Sequence, residues 1–369
     1  MALLLDDNTK MVRDSAQKFL KGTDSLRALR HRRDMRDLGG LTRGAWDGLV
    51  ELGFSGMLVP EKFGGSDLDF RASTQVSEMM GSTLSTGPFL STAVMAATAL
   101  RYGDNEPLKA AILPRIVTGM VVAIAGEETS RHDPHAITTS AGKENGGFRI
   151  SGRKSVVIDG NIAEKLIVVA RSAENSDQLL MLLVDAAAPG VAITTRMGVD
   201  SHPMVAMSFD DVAVAQDQLI CGGDPASALL DRIYDAGRLH LAAEMLGAAQ
   251  EAFDRTLSYL KTRVQFGRRI GEFQALQHRA AILFGELEIA RSTLPKAAGD
   301  PSAEHVSLAK AKIGEVAKHV TTEAVQLHGG IGVTDDFDIG FFLKRVRAAS
   351  ERLGDPAFHA GRYAAFQGL

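Results

Sequence analysis

What this chain lacks narrows it before any motif is read. It has one cysteine, Cys221, in 369 residues, so no intrachain disulfide can form and a reducing cytoplasm is the expected compartment. No apolar run reaches the roughly 20 residues that cross a bilayer. The opening MALLLDDNTK has a short apolar run but neither a basic start nor a cleavage site, so no signal peptide is expected. Long runs of one charge are missing too. The net charge is −4, and the one basic stretch, RALRHRRDMRD at 27–37, is interleaved with aspartates. It reads as a solvated helix face rather than a nucleic-acid patch. His132 and His135 in RHDPH have no third or fourth ligand at a suitable spacing, which argues against a metal centre. They read instead as part of a loop that meets a substrate, a phosphate or a partner subunit.

What is present falls into three blocks. Residues 1–118 carry apolar positions at 3–4 spacing, as in LDDNTKMVRDSAQKFLKG, where Asp6 or Asp7 is an N-cap and Gly22 a stop. From 119 to 222 the period changes to two. MVVAIAGE, FRISGRKSVVIDG, EKLIVVARS and QLLMLLVDA are short β-branched runs punctuated by Gly, Asp and Asn. From 223 to 369 long helical patterns return, with AAGDPS as an inter-helix loop. The expected fold is α+β and multi-domain: an N-terminal all-α domain, a small central antiparallel β-sandwich or barrel, and a C-terminal four-helix bundle.

The stretch RVQFGRRIGEFQALQHR around 263 sets an arginine and an aromatic–glycine pair at a bend between helices. Arg263 offers a planar fork suited to phosphate oxygens. Phe266 can lie on a flat ring, and Gly267 permits close backbone approach. Further on, QLHGG makes a second turn whose amides can face a phosphate. A plain helix hairpin, with Arg263 capping carbonyls, is the competing reading.

With VPEKFGG and EAVQLHGGIGVTDDFDIGFFLKR in the same order, these segments resemble acyl-CoA dehydrogenases over nearly the whole chain. That resemblance implies FAD, an acyl-CoA substrate, a dimer-of-dimers tetramer and an electron-transfer flavoprotein as acceptor. Partners of other kinds, nucleic acid or membrane, are not expected. It implies that Arg263, Gln265, Phe266, Gln326, Gly329 and Gly330 clasp the ADP half of a flavin bound mainly by the neighbouring subunit. It also places Asp235 and Arg238 on the acyl-CoA channel. The chemistry needs a base for a weakly acidic α-proton in a dry pocket, with donors aimed at the thioester oxygen.

The same comparison exposes losses. Where the family reads Thr-Glu-Pro and Gly-Ser-Asp, this chain has Gly126 for the threonine, Glu128 for the proline and Arg131-His132-Asp133. Where it reads Trp-Ile-Thr, the chain has Val156 and Ile158, so a flavin-stacking aromatic and a ring-directed hydroxyl are gone. The base position reads Leu353-Gly354-Asp355, and the alternative position is Gly237. Glu244, two turns beyond Gly237 on the same helix face, is the first remaining candidate for the base and would need a raised pKa. A glutamate paired with Arg238, His240 or an arginine of another helix is the structural alternative. Asp355 is the second candidate.

Two functions follow. One is FAD-dependent α,β-dehydrogenation of an acyl-CoA thioester in fatty acid or steroid side-chain catabolism, with this chain as a divergent homotetramer or as one subunit of a heteromer. The heteromer would resemble the small subunits of pimeloyl-CoA and steroid side-chain dehydrogenases. The other is a flavin-free subunit that keeps only the fold and the assembly surface.

Overall fold

The computed structural model describes residues 5–39 and 43–369. Its contacts gather into two compact units, one of Met1–Arg30, Phe70–Ser85 and Arg238–Leu369, the other of His31–Asp69 and Thr86–Gly237. The N-terminal helices are therefore divided between them. α1 (Asp7–Lys21) and α4 (Phe70–Thr83) belong with the C-terminal helices. α3 (Arg43–Glu51), α5 (Ala97–Tyr102) and α6 (Glu106–Val117) belong with the sheet. α2 (Ser25–Met35) crosses the boundary.

The sheet unit is built on eight strands: β1 (Val122–Ala125), β2 (Ser140–Glu144), β3 (Gly147–Lys154), β4 (Lys165–Ser172), β5 (Leu179–Asp185), β6 (Val191–Met197), β7 (Pro203–Ala215) and β8 (Leu219–Gly222). They run in the order β6-β7-β3-β2-β4-β5-β8, and β1 also pairs with β4. The β1–β4 and β2–β4 pairs are parallel and the rest antiparallel. β4 and β5 are buried along nearly their whole length, so they read as continuous apolar runs. Edge strand β6 is mostly open to water. Phe148, Val168, Leu182, Phe209 and Val212 form the centre of the core.

The helical unit contains the second part of α7 (Asp224–Thr262), then α8 (Gln274–Gly299), α9 (Ala303–His328), α10 (Ile339–Glu351) and α11 (Pro356–Phe366). Asp6 caps α1, its carboxylate accepting from the Thr9 amide at 2.8 Å, and Gly22 ends the helix. α4 crosses α7 backbone to backbone. A Cβ on Gly81 would lie 1.9 Å from the Glu244 carbonyl, and one on Gly247 would lie 1.9 Å from that of Glu78.

The basic stretch at 27–37 is only partly a solvated face. Arg30 reaches Asp338 at 2.6 Å, and Arg32 is 4 % exposed with Nη2 donating to Thr86. Alternation with aspartates marks α2 as amphipathic, but it does not reveal which arginine turns inward.

Candidate active site

The end of α7 leads into a two-strand hairpin, β9 (Val264–Gln265) and β10 (Arg268–Arg269). Its tip is Phe266-Gly267, with φ of 55° and 80°. Two consecutive positive φ values make a tight turn that suits the right-handed twist of its strands. Glycine adopts this conformation freely. Phenylalanine does so at a cost of about 1 kcal/mol, yet Phe266 stands 88 % exposed. A strained aromatic held in water at a turn tip is a pattern found at binding sites. Arg263 and Gln265 are exposed as well.

The QLHGG turn ends α9 close to this hairpin. The Tyr259 ring, one turn before Arg263, stacks on His328 at 4.5 Å, and Phe337 lies against both. His328 Nδ1 donates to the Ala324 carbonyl at 2.7 Å, and burial lowers its pKa. This neutral ring is a strut that locks two helix ends together. Gln326, Gly329 and Gly330 are exposed, and a Cβ on either glycine would meet nothing within 4 Å. Gly329 adopts φ 65° and donates its amide to the Gln326 carbonyl. Its amide is thus engaged within the turn, and Gln326's side chain is the exposed donor. All six residues expected to hold an ADP group are presented outward from one unit.

In the sheet unit, the positions matching the flavin-ring segments are filled by other chemistry. A Cβ on Gly126 would lie 2.3 Å from the Tyr234 hydroxyl, so no hydroxyl-bearing side chain fits where the family carries threonine. Glu128, in the segment between β1 and β2, turns its side chain inward. It pairs with the fully buried Lys154 at 2.6 Å and accepts from the Thr138 and Thr139 amides. Burial opposes ionisation of Glu128, but Lys154 and Thr138 outweigh it and hold the carboxyl at about 2. Burial in turn pushes the Lys154 ammonium down to about 8. His132 turns inward, its Nδ1 2.9 Å from Glu127, and its ring meets Tyr234 edge-on at 5.5 Å. It is therefore part of the fold of this segment. Val156 and Ile158 are half-buried and carry no donor.

The two candidate bases have structural partners. Glu244 is 9 % exposed and accepts from Arg345 Nε of α10 at 2.5 Å, which is the geometry of the structural alternative. Asp355 caps α11, its Oδ1 taking the Phe358 amide at 2.7 Å. Leu353, at the family's base position, has φ 56° and is buried. Its carbonyl accepts from Arg238 Nε at 3.1 Å and from His359 Nε2 at 3.0 Å. Lys310, entirely buried, donates to the carbonyls of Ala349, Ser350 and Gly354. Burial, aided by Arg238, pushes Lys310 down to about 7. Burial, with Arg238 and Lys310, pushes His359 down to about 2. Arg238 thus holds backbone, with its guanidinium 5.5 Å over the Phe358 ring. Asp235 is 7 % exposed on the same helix.

Lys310 and His359 escaped the sequence reading. The available signal was a lysine within the apolar-rich run VSLAKAKIGEVA. Cys221 is buried and donates to Asp104 at 3.3 Å, and burial raises it to about 12, so it is no nucleophile. Among the described residues no group of three or more His, Cys, Asp or Glu could hold a metal, and no helix is long and apolar enough to cross a membrane.

Three domain models of one family cover this architecture: acyl-CoA dehydrogenase N-terminal domain over residues 6–120, middle domain over 123–212 and C-terminal domain over 229–364. The chain is 30 % identical to the mitochondrial short/branched chain specific acyl-CoA dehydrogenase of Rattus norvegicus, over 81 % of this chain and 72 % of that one. It is 29 % identical to a probable acyl-CoA dehydrogenase, YngJ, of Bacillus subtilis over 93 % of both. A solved structure described as the Tcur3481-Tcur3483 steroid ACAD matches with a TM-score of 0.85 at 28 % identity, covering 98 % of each chain. The chain belongs to the acyl-CoA dehydrogenase family, oxidoreductases that act on CH–CH groups of acyl-CoA thioesters with FAD. Its residues fit one half of that cofactor. The exposed Arg263, Phe266 and Gln326 suit the ADP group, whereas Gly126, Val156 and Ile158 offer the ring neither a donor nor a flat cover.

Proposed function

We propose that this chain is one subunit of a heteromeric acyl-CoA dehydrogenase. It clasps the ADP half of a partner chain's FAD through Arg263, Gln265, Phe266, Gln326, Gly329 and Gly330, and it supplies no base. The observation that carries this reading is the asymmetry of the flavin residues: the outward-facing set is intact while the ring-facing set is replaced. The engagement of Glu244 with Arg345 and of Asp355 as a helix cap supports it. FAD supplies the hydride acceptor. The partner then provides ring contacts and the carboxylate, while Asp235 and Arg238 of this chain bound the acyl-CoA channel. A dimer-of-dimers assembly, an electron-transfer flavoprotein as acceptor, fatty acid or steroid side-chain substrates and a cytoplasmic location complete the reading.

A divergent homotetramer that uses Glu244 is the second reading, favoured by the near-complete burial of that carboxylate. Flavin stoichiometry separates the two. The chain purified alone is expected to be colourless, and co-expressed with the polypeptides encoded beside it, yellow. In that complex Arg263→Ala is expected to weaken FAD retention about 10- to 100-fold, the effect of one charge-assisted phosphate contact. A yellow chain on its own, with one FAD per protomer and activity lost in Glu244→Gln, would sink the heteromer.

A further inference from the structure

The hairpin at 264–269 and the residue before it carry more charge than the ADP reading uses. Arg263, Arg268 and Arg269 are all exposed. Among the described residues none of these arginines has an ion pair or a side-chain hydrogen bond. Like charges held this close repel, so an anion that meets them is favoured.

The strand register sorts the arginines. Gln265 lies opposite Arg268, and Val264 opposite Arg269. The Ile270 amide donates to the Arg263 carbonyl at 2.9 Å, which continues the ladder by one more pair. Opposed residues share a face of a ribbon, and successive residues alternate between faces. Arg263, Gln265 and Arg268 therefore share one face, while Val264 and Arg269 share the other. On the first face Arg263 and Arg268 are diagonal neighbours, about 7–8 Å apart, near enough for two long side chains to converge on one group.

Arg268 is also braced. Its guanidinium carbon lies 4.1 Å from the centre of the half-buried Phe273 ring. The same ring meets Phe266, at the tip of the turn, edge-on at 6.1 Å. Stacking engages the flat face of a guanidinium and leaves the N–H groups around its edge open. Phe273 thus orients Arg268 without using any of its donors.

We propose that Arg268 is a second guanidinium ligand of the FAD diphosphate, acting beside Arg263. The inference rests on the reading that this hairpin clasps the ADP half of FAD. A diphosphate has oxygens on two phosphorus atoms, so it accepts two planar forks from one face of a ribbon. Arg269, on the opposite face, takes no part in the contact.

Titration of FAD into the flavin-depleted assembled enzyme tests this, with flavin fluorescence as the readout. Arg268→Ala is expected to raise the FAD Kd about tenfold, the effect of one charge-assisted contact at an exposed site. Arg268→Lys keeps the charge but loses the fork, and is expected to recover only part of the loss. Arg269→Ala is expected to stay within about twofold of wild type, because a distant surface charge is largely screened. ADP used as a competitor is expected to lose affinity in Arg268→Ala by the same factor as FAD, which places the loss in the ADP half. Both arginines are exposed, so replacing them leaves the core untouched. If Arg263→Ala weakens FAD and Arg268→Ala does not, this proposal falls and the ADP reading stands. If neither weakens it, both fall. Equal losses in Arg268→Ala and Arg269→Ala also overturn the proposal, since they report the total charge of the hairpin and not a contact.

Discussion

Glu244 shows how partners decide what a buried carboxylate does. Nothing in LAAEMLG distinguishes a base from half of an ion pair, because the distinction lies in Arg345, about a hundred residues away in sequence. The Arg345 guanidinium occupies a Glu244 oxygen that a base must keep open. Glu244→Gln is therefore expected to cost about 3 kcal/mol of stability, the penalty of removing the carboxylate from a largely buried ion pair. It should leave kcat of the assembled enzyme within about threefold of wild type. Urea unfolding and steady-state kinetics on the same preparation check this, and a kcat loss of a thousandfold at unchanged stability would restore Glu244 as the base.

At the scale of elements, α4 and α7 touch through their backbones. That approach explains the glycine and alanine content of AAEMLGAAQ, which otherwise reads only as good helix-forming sequence. Gly247→Ala forces a methyl group to within 1.9 Å of the Glu78 carbonyl. A carbonyl in a helix cannot swing away as a side-chain tip can, so the helices must separate. The expected cost is about 3 kcal/mol, against the small gain that Gly→Ala brings in an open helix. Chemical denaturation measures it, and an unchanged midpoint would refute the close crossing. The hairpin at 264–269 follows a different local rule. Its glycine announces a turn in the sequence, but the left-handed phenylalanine beside it has no sequence signal.

For the whole molecule, buried titratable groups give stability a direction with pH. His359 titrates at about 2 when folded, against an ordinary value of 6.5. Between those values the unfolded chain binds a proton that the folded chain refuses, so stability falls as pH drops from 6.5 towards 2. Glu128, at about 2 against 4.5, acts in the same sense lower in that range. Lys310, at about 7 against 10.5, adds stability as pH rises from 7 to 10.5. Thermal unfolding should give a Tm that climbs from pH 5 to pH 9. His359→Asn should flatten the acid limb and Lys310→Met the alkaline one, and wild-type slopes in both variants would refute the assignment. The α-then-β-then-α order was legible because the hydrophobic period changes near 119 and again near 223. The N-cap at Asp6 and the loop at 300–302 were legible because each depends on neighbours in sequence. The division of the N-terminal helices between two units was not, nor was the clamp on the Leu353 carbonyl, since both are made by segments far apart along the chain. The benzyl group at the summit of the 264–269 ribbon carries one last implication. A copy with nothing covering that ring presents a sticky handle to every neighbour, so crowding of this polypeptide is expected to begin at that point of its surface.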